Sequence, residues 1–237
     1  MRLFKVILVI FLIGFVSISV AQVRTPMLHY LVREAKIKQS KPPIIILLHG
    51  YGSNAKDLFS FANQLPDSFL VIAPQAPHQL GNDSYAWYNL DFSTGKLAYK
   101  KEEAEASRLE ILQFIQQLKS KQQFNDKRIY LGGFSQGGIL AYSLGLTNPN
   151  KIKGIAVLSG RLLEEIKPFV KPSENLNALK IFIAHGTTDK VIDVSNARDA
   201  QQFLKPLHLN ISYHEYTMGH SISNDEFNDL LNWLNKY

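Results

Sequence analysis

A chain of 237 residues with 46% hydrophobic and 19% charged residues can bury one sizeable core, and that balance excludes a disordered protein. It contains no cysteine, so disulfides, a thiol nucleophile and thiolate metal sites are excluded. Its net charge of +6 is scattered, as at Lys36, Lys38, Lys41, Lys119 and Lys121, which points to a solvated basic surface and away from a nucleic-acid partner.

The chain opens with Arg2 and Lys5 ahead of a nearly pure apolar run over residues 6–16, and Ser19 and Ala21 place small residues at −3 and −1 of a cleavage site. This pattern predicts a secretory signal over residues 1–21 and one domain over 22–237. The protein is then expected to be exported, periplasmic or secreted, with no stable membrane span after cleavage; an uncleaved membrane tether is the alternative. No cysteine follows the cleavage site, so lipid attachment there is excluded.

Strand and helix signals then alternate. Residues 28–33 predict an early edge strand, and the all-apolar run 44–48 a strand buried on both faces. A helix is expected over 55–65, capped by Asn54 or Ser53 and stopped by Pro66, followed by a strand over 69–73. Residues 75–99 read as a long irregular segment rich in aromatics, among them Tyr85, Trp87 and Tyr88. An amphipathic helix is expected over 100–122, with Ala104, Leu109, Leu112, Ile115 and Leu118 on its apolar stripe. Further strands are expected at 128–131, 154–158, 181–184 and 210–216, and helices at 136–146, 194–204 and 224–236. Continuous apolar strands alternating with helices predict an α/β fold, a mainly parallel sheet covered on both faces, with ligands at the carboxyl ends of its strands.

Gly133-Phe134-Ser135-Gln136-Gly137 lies where the 128–131 strand ends and the next helix begins. In that context a G-x-S-x-G pentapeptide is a nucleophile elbow, whose glycines allow strand and helix to cross closely. A serine hydroxyl needs an imidazole to take its proton, and the imidazole needs an orienting carboxylate. Asp189, just past the 181–184 strand, and His220, between the last strand and the last helix, follow Ser135 in the required order. Asp193 reads as a helix N-cap, and Asp225 and Glu226 as acids favouring the last helix dipole. His185, His208 and His214 read as structural. The oxyanion of acyl transfer needs backbone N–H donors. Gln136 supplies one amide, and the loop His49-Gly50-Tyr51-Gly52 offers that of Tyr51, with His49 buttressing the loop. No motif for a metal, a dinucleotide or a phosphate is present, so no cofactor is expected.

Together, residues 48–54, 132–138, 185–189 and 219–221 resemble the phospholipase/carboxylesterase family, small α/β-hydrolases that include carboxylesterases and acyl-protein thioesterases. The resemblance spans roughly residues 40–237. It implies an α/β-hydrolase fold with Ser135 as nucleophile, Asp189 as acid, His220 as base, and the Tyr51 and Gln136 amides as oxyanion donors. Trp87 and Tyr88 correspond to an aromatic segment beside the acyl pocket, and so to substrate-binding residues. Lys190 and the residues after it depart from a pattern often carrying prolines, and Ser53 stands where an acidic residue is frequent.

The expected activity is hydrolysis of a small-molecule carboxylic ester through an acyl-enzyme. The connection over residues 160–178 is short for a lid, which favours soluble, short-to-medium acyl esters. A peptidase or acyltransferase on the same fold is the alternative, and a non-catalytic binding protein a further one.

Overall fold

The computed structural model describes residues 27–91, 93 and 98–237; the expected signal over residues 1–21 lies outside the described residues. In chain order the elements are β1 (Tyr30–Arg33), β2 (Ile44–Leu48), α1 (Ala55–Phe59), β3 (Leu70–Pro74), β4 (His78–Gly81), β5 (Ser84–Ala86), β6 (Leu90–Asp91) and β7 (Ala98–Tyr99). Then come α2 (Lys101–Leu118), β8 (Ile129–Phe134), α3 (Gln136–Thr147), β9 (Gly154–Leu158), a 3-10 turn (Glu164–Phe169) and α4 (Glu174–Ala178). The chain finishes with β10 (Lys180–Gly186), α5 (Ser195–Leu204), β11 (Asn210–Tyr216) and α6 (Asn224–Asn235).

Seven strands form one sheet in the order β1-β3-β2-β8-β9-β10-β11. Only β1 runs antiparallel, along β3; the other neighbours are parallel. The all-apolar β2 is explained by its central place. Ile44, Ile46 and Leu48 face a core with α2, α3 and α5, whereas Ile45 and Leu47 face a second core with α1 and α6. The chain moves from β2 outward to β3 and then returns to β8 on the other side. That reversal opens a crevice at the carboxyl ends of β2 and β8, where open α/β sheets place their ligands.

Two expectations change. The helix expected over 55–65 stops at Phe59, and residues 61–65 continue as tighter turns, with Phe61 N–H on Leu58 O and Ala62 N–H on Phe59 O. The buried Arg33 guanidinium of β1 reaches across and donates to the carbonyls of Ala62, Leu65, Pro66 and Phe69, which satisfies the backbone of this turn-rich stretch without a regular helix. The irregular segment 75–99 holds two short ribbons, β4 with β5 and β6 with β7.

Glu226 also departs from expectation. It sits in the first turn of α6 within a capping box: Glu226 N–H donates to Ser223 Oγ at 3.1 Å, and Ser223 N–H to Glu226 Oε2 at 3.3 Å. Its side chain is fully buried and Oε1 has no partner, which disfavours the charge that a dipole partner needs. Burial pushes its pKa up to about 8, with the Ser223 hydrogen bond pulling the other way. Between the ordinary carboxyl range and that value, the unfolded chain releases this proton and the folded chain keeps it. Its contribution to stability is therefore full in acid and lost as pH rises through about 8. Glu226→Gln, which cannot ionise, should raise the melting temperature by several degrees near pH ~9 and change it little near pH ~4, where both proteins are uncharged at this position. Melting curves across that range provide the check.

Candidate active site

The sharp link between β8 and α3 is built from small residues. Ser135 takes φ 54° and ψ −116°, a region L-residues avoid at a cost of about 1–3 kcal/mol. A Cβ on Gly137 would overlap the Leu48 carbonyl, and one on Gly133 would overlap the Gly137 carbonyl. Only glycine at both positions lets α3 cross so tightly over β2 and β8. The turn is pinned by Ser135 N–H on Leu158 O at 2.9 Å and by Ile139 N–H on Ser135 O at 3.0 Å.

Asp189 and His220 come from the ends of adjacent strands. The β10–β11 pairing ends at Gly186 opposite Tyr216, and the two loops beyond continue to zip: Thr187 N–H donates to Tyr216 O and Thr188 N–H to Met218 O. Gly186 is needed there, since a Cβ would overlap the Met218 and Gly219 carbonyls. The result brings the three residues into line. Ser135 Oγ donates to His220 Nε2 at 2.9 Å, and His220 Nδ1 donates to Asp189 Oδ2 at 2.7 Å. Phe134 packs on the imidazole, ring centroids 4.8 Å apart.

The carboxylate is fully buried as a side chain, and burial alone would raise its pKa. Hydrogen bonds from His220 and from the Ile192 and Val191 amides outweigh that and hold Asp189 below the usual carboxylate range. Its Oδ1 accepts both amides, at 2.9 and 2.8 Å, which leaves Oδ2 aimed at the imidazole. Asp193, expected as the N-cap, lies one residue before the N-cap Val194 of α5, and its carboxylate accepts Ser195 N–H at 2.8 Å. His185 is buried and donates Nε2–H to Ile192 O at 2.7 Å, bracing the same loop.

A second Ser/His/Asp grouping exists on β11 and α6. There Ser212 Oγ lies 2.8 Å from His214 Nε2, but His214 Nδ1 is 3.6 Å from Asp229, too long for a hydrogen bond. His214 stacks on Phe182 instead. Of the two groupings, only the first is a connected relay.

Opposite Ser135 lies the loop after β2. A Cβ on Gly50 would sit 3.4 Å from that of Ser135, so the loop carrying Tyr51 runs directly beside the serine. The Gln136 amide is in the first turn of α3, among those with no intrahelical acceptor. His49 is fully buried at the base of the loop, and burial lowers its pKa while the Gly50 carbonyl works to raise it. The neutral ring donates Nδ1–H to Gly50 O at 2.8 Å and accepts Ala76 N–H on Nε2 at 3.1 Å. It thus braces the loop.

Trp87 and Tyr88, expected beside an acyl group, are instead almost completely buried, at 0% and 1% exposure. Trp87 Nε1–H donates to His49 O at 2.9 Å, and Ser107 Oγ donates to Trp87 O. A role that sequence reading missed belongs to the Gln136 side chain: it accepts Trp87 N–H and donates to Tyr88 O, both at 2.8 Å. These partners are distant in sequence, and a buried glutamine at the start of a helix was the only signal available. Among the described residues, no cluster of three or more His, Asp or Glu is placed to hold a metal ion.

The fold and the hydrogen-bonded relay are those of a serine hydrolase of the α/β-hydrolase class. The phospholipase/carboxylesterase family model matches residues 31–237, and the chain belongs to that family. It is 30% identical over 221 residues to acyl-protein thioesterase 1 of Kluyveromyces lactis, covering 86% of this chain and 96% of that one. Acyl-protein thioesterase 1 of Yarrowia lipolytica is 27% identical over 212 residues, covering 83% and 92%. Among solved structures, esterase PE8 superposes with a TM-score of 0.75 at 26% identity, covering 89% of this chain and 99% of that one. The Bacillus cereus carboxylesterase shares the fold, with a TM-score of 0.73 at 21% identity over 89% and 94%.

These relatives correct the expected location. The chain aligns along most of its length with acyl-protein thioesterases, so the periplasmic or secreted destination is withdrawn, and the membrane tether with it. The physical weakness of that expectation lies in its basis. A charged start and a short apolar run are a matter of composition alone, and for the tether the run also falls below the ~20 residues a span requires. Among the described residues, no helix is long and apolar enough to cross a membrane.

Replacing Gln136 with leucine would strand the Trp87 N–H and the Tyr88 carbonyl in the interior, at about 1–3 kcal/mol each. Gln136→Leu should therefore lower unfolding free energy in urea by about 2–6 kcal/mol.

Proposed function

We propose that this protein is a serine carboxylesterase that hydrolyses short-to-medium carboxylic esters through an acyl-enzyme on Ser135. One observation carries the proposal: the unbroken hydrogen-bond relay from Ser135 Oγ through His220 to the buried Asp189 carboxylate. His220 Nε2 takes the hydroxyl proton as Oγ bonds to the ester carbonyl carbon. The carbonyl oxygen becomes an oxyanion held by the Tyr51 and Gln136 amides. The C–O bond to the alcohol then breaks, and His220 returns its proton to the leaving alkoxide. Water attacks the acyl-enzyme by the same steps in reverse order, releasing the acid and restoring Ser135. Asp189 fixes the imidazole tautomer and stabilises its transient positive charge.

The connection between β9 and β10 supports the chain-length part of the proposal. It contains only a 3-10 turn and the five-residue α4, a small structure to serve as an interfacial lid. A second reading is favoured by the names of the curated relatives: the acyl group would be joined to a protein through a thioester. The same relay would attack a thioester carbonyl with thiolate as leaving group.

A fluorophosphonate should label Ser135, and no adduct should form on Ser135→Ala; an adduct elsewhere in the wild type would overturn the mechanism. Asp189→Asn should lower kcat by roughly 10³–10⁴-fold, as expected when the imidazole loses its orienting charge, while Asp193→Asn stays within a few-fold. The reverse ranking would reassign the acid. Matched oxoester and thioester substrates with the same acyl group decide between the two readings, and a p-nitrophenyl ester series should favour chains active without an added interface.

A further inference from the structure

The most conspicuous side chain outside the relay is Arg161, at the carboxyl edge of the sheet just beyond β9. Its backbone is fixed by unusual packing. Ser159 is buried with φ 49°, and its N–H donates to Ala184 O at 2.9 Å. At Gly160, a Cβ would lie 3.0 Å from the Gly138 carbonyl carbon, so this segment rests on the first turn of α3 beside Ser135. Arg161 is thereby delivered into a cleft of about 670 Å³ shared with Tyr99, Lys100, Leu162, Glu165 and Asn196.

The guanidinium lies over the Tyr99 ring, 5.3 Å from its centroid, and the Nε atom is buried without a hydrogen-bond partner. The acids around the cleft are already engaged. Glu165 accepts the Tyr99 hydroxyl on both oxygens, at 2.9 and 3.1 Å, Glu164 pairs with Lys167 at 2.6 Å, and Glu102 lies 4.0 Å from Lys101. Lys100 is taken by Glu103 at 3.4 Å. Among the described residues, Arg161 is the cation of this cleft with no carboxylate within ion-pair distance. Tyr99 holds Glu165 and supports Arg161 on different parts of one side chain, its hydroxyl and its ring face.

A buried guanidinium nitrogen without an acceptor is rare in folded proteins, and a planar fork of donors matches a carboxylate in two parallel hydrogen bonds. The cleft also touches the relay's own scaffold. Tyr99 packs on Tyr88, ring centroids 5.6 Å apart, and the Tyr88 carbonyl is held by Gln136, the residue after the serine. The Arg161 charge acts on the Tyr88 phenol, opposing the upward push of burial.

We propose that Arg161 is a specificity-determining residue that binds a carboxylate on the substrate, remote from the scissile ester. The preferred substrates are then anionic esters, such as half-esters of dicarboxylic acids, with their methylenes along Leu162 and Tyr99. This inference rests on the esterase reading above and adds the substrate's charge to it.

The test compares kcat/KM for mono-p-nitrophenyl esters of C4 to C8 dicarboxylic acids with length-matched p-nitrophenyl alkanoates. A parallel pair, 4-acetoxybenzoate and phenyl acetate, puts the carboxylate on the alcohol side, so the two arms locate it. Arg161→Gln should lower kcat/KM for the acidic esters of one arm by about tenfold or more, chiefly through KM. The neutral esters should stay within about twofold. Arg161→Lys should recover part of the loss. An equal fall for acidic and neutral esters would mean that Arg161 only supports Tyr99, and no fall in either arm would mean that it meets no carboxylate; both overturn the proposal. Should Arg161→Gln fail to fold, the wild type provides its own check: glutarate should inhibit neutral-ester hydrolysis competitively and its diamide should not, and equal behaviour overturns the proposal. Full activity in Ser135→Ala would instead sink the esterase reading, so the two failures are distinguishable.

Discussion

The close crossing of α3 over the end of β2 governs the carboxyl edge of this protein. Gly137 lies against the Leu48 carbonyl, and Gly133 lies against Gly137. A side chain at either would lift the helix and release Ser135 from its left-handed conformation. The crossing has a second effect. Because β2 runs straight into residues 49–53, the contact that holds the serine in place also sets the adjoining loop beside it. The proposed nucleophile and the proposed oxyanion donors are therefore positioned by one steric arrangement, with strain at the serine offset by the packing of α3 against the sheet.

Around this contact, polar groups divide into struts and charges. His49 and Gln136 are buried and neutral, and each joins two segments: His49 joins the β2 loop to Ala76, and Gln136 joins the start of α3 to the aromatic segment. Such bonds are worth most where a broken one leaves an unsatisfied group in the interior. Asp189 is different. It stays below its usual carboxylate range despite burial because two backbone amides and an imidazole share its oxygens. A carboxylate held in this way orients His220 Nδ1 without becoming the proton acceptor. Glu226 shows the contrast: buried with one oxygen unpartnered, it cannot hold a charge so readily, and its pKa moves the opposite way.

Much of the frame was legible in the sequence because it depends on local pattern. The continuous apolar runs of β2 and β9 and the alternation in β11 give those strands their observed limits. The glycine spacing around Ser135 is steric and therefore local too. What was not legible is held by long-range partners. Arg33 holds the turns after α1 by donating to carbonyls some thirty residues away. Trp87 and Tyr88 look like ligand-contacting aromatics in sequence, but their burial follows from Gln136, His49 and Ser107, which no periodicity connects to them. Glu226 looked like a charged dipole partner because its place in the first helical turn reveals nothing of what covers it. The composition of residues 1–21 likewise resembled an address, and the relatives overturned the destination drawn from it, while the segment itself lies outside the described residues.

The division has a consequence for how reaction and substrate are encoded. The reaction rests on backbone: glycines, strand ends and amides whose placement follows from the sheet, so relatives at about 30% identity can keep it. The cleft beyond β9 rests on side chains from segments that the sheet does not dictate, Tyr99 from a short ribbon and Arg161 from a loop. Those side chains can change without disturbing Gly133, Gly137 or Gly186. A family match over residues 31–237 therefore transfers the chemistry securely and the substrate hardly at all. The charge of Arg161, left without a carboxylate among the described residues, belongs to the part of the molecule that the shared fold leaves free to differ.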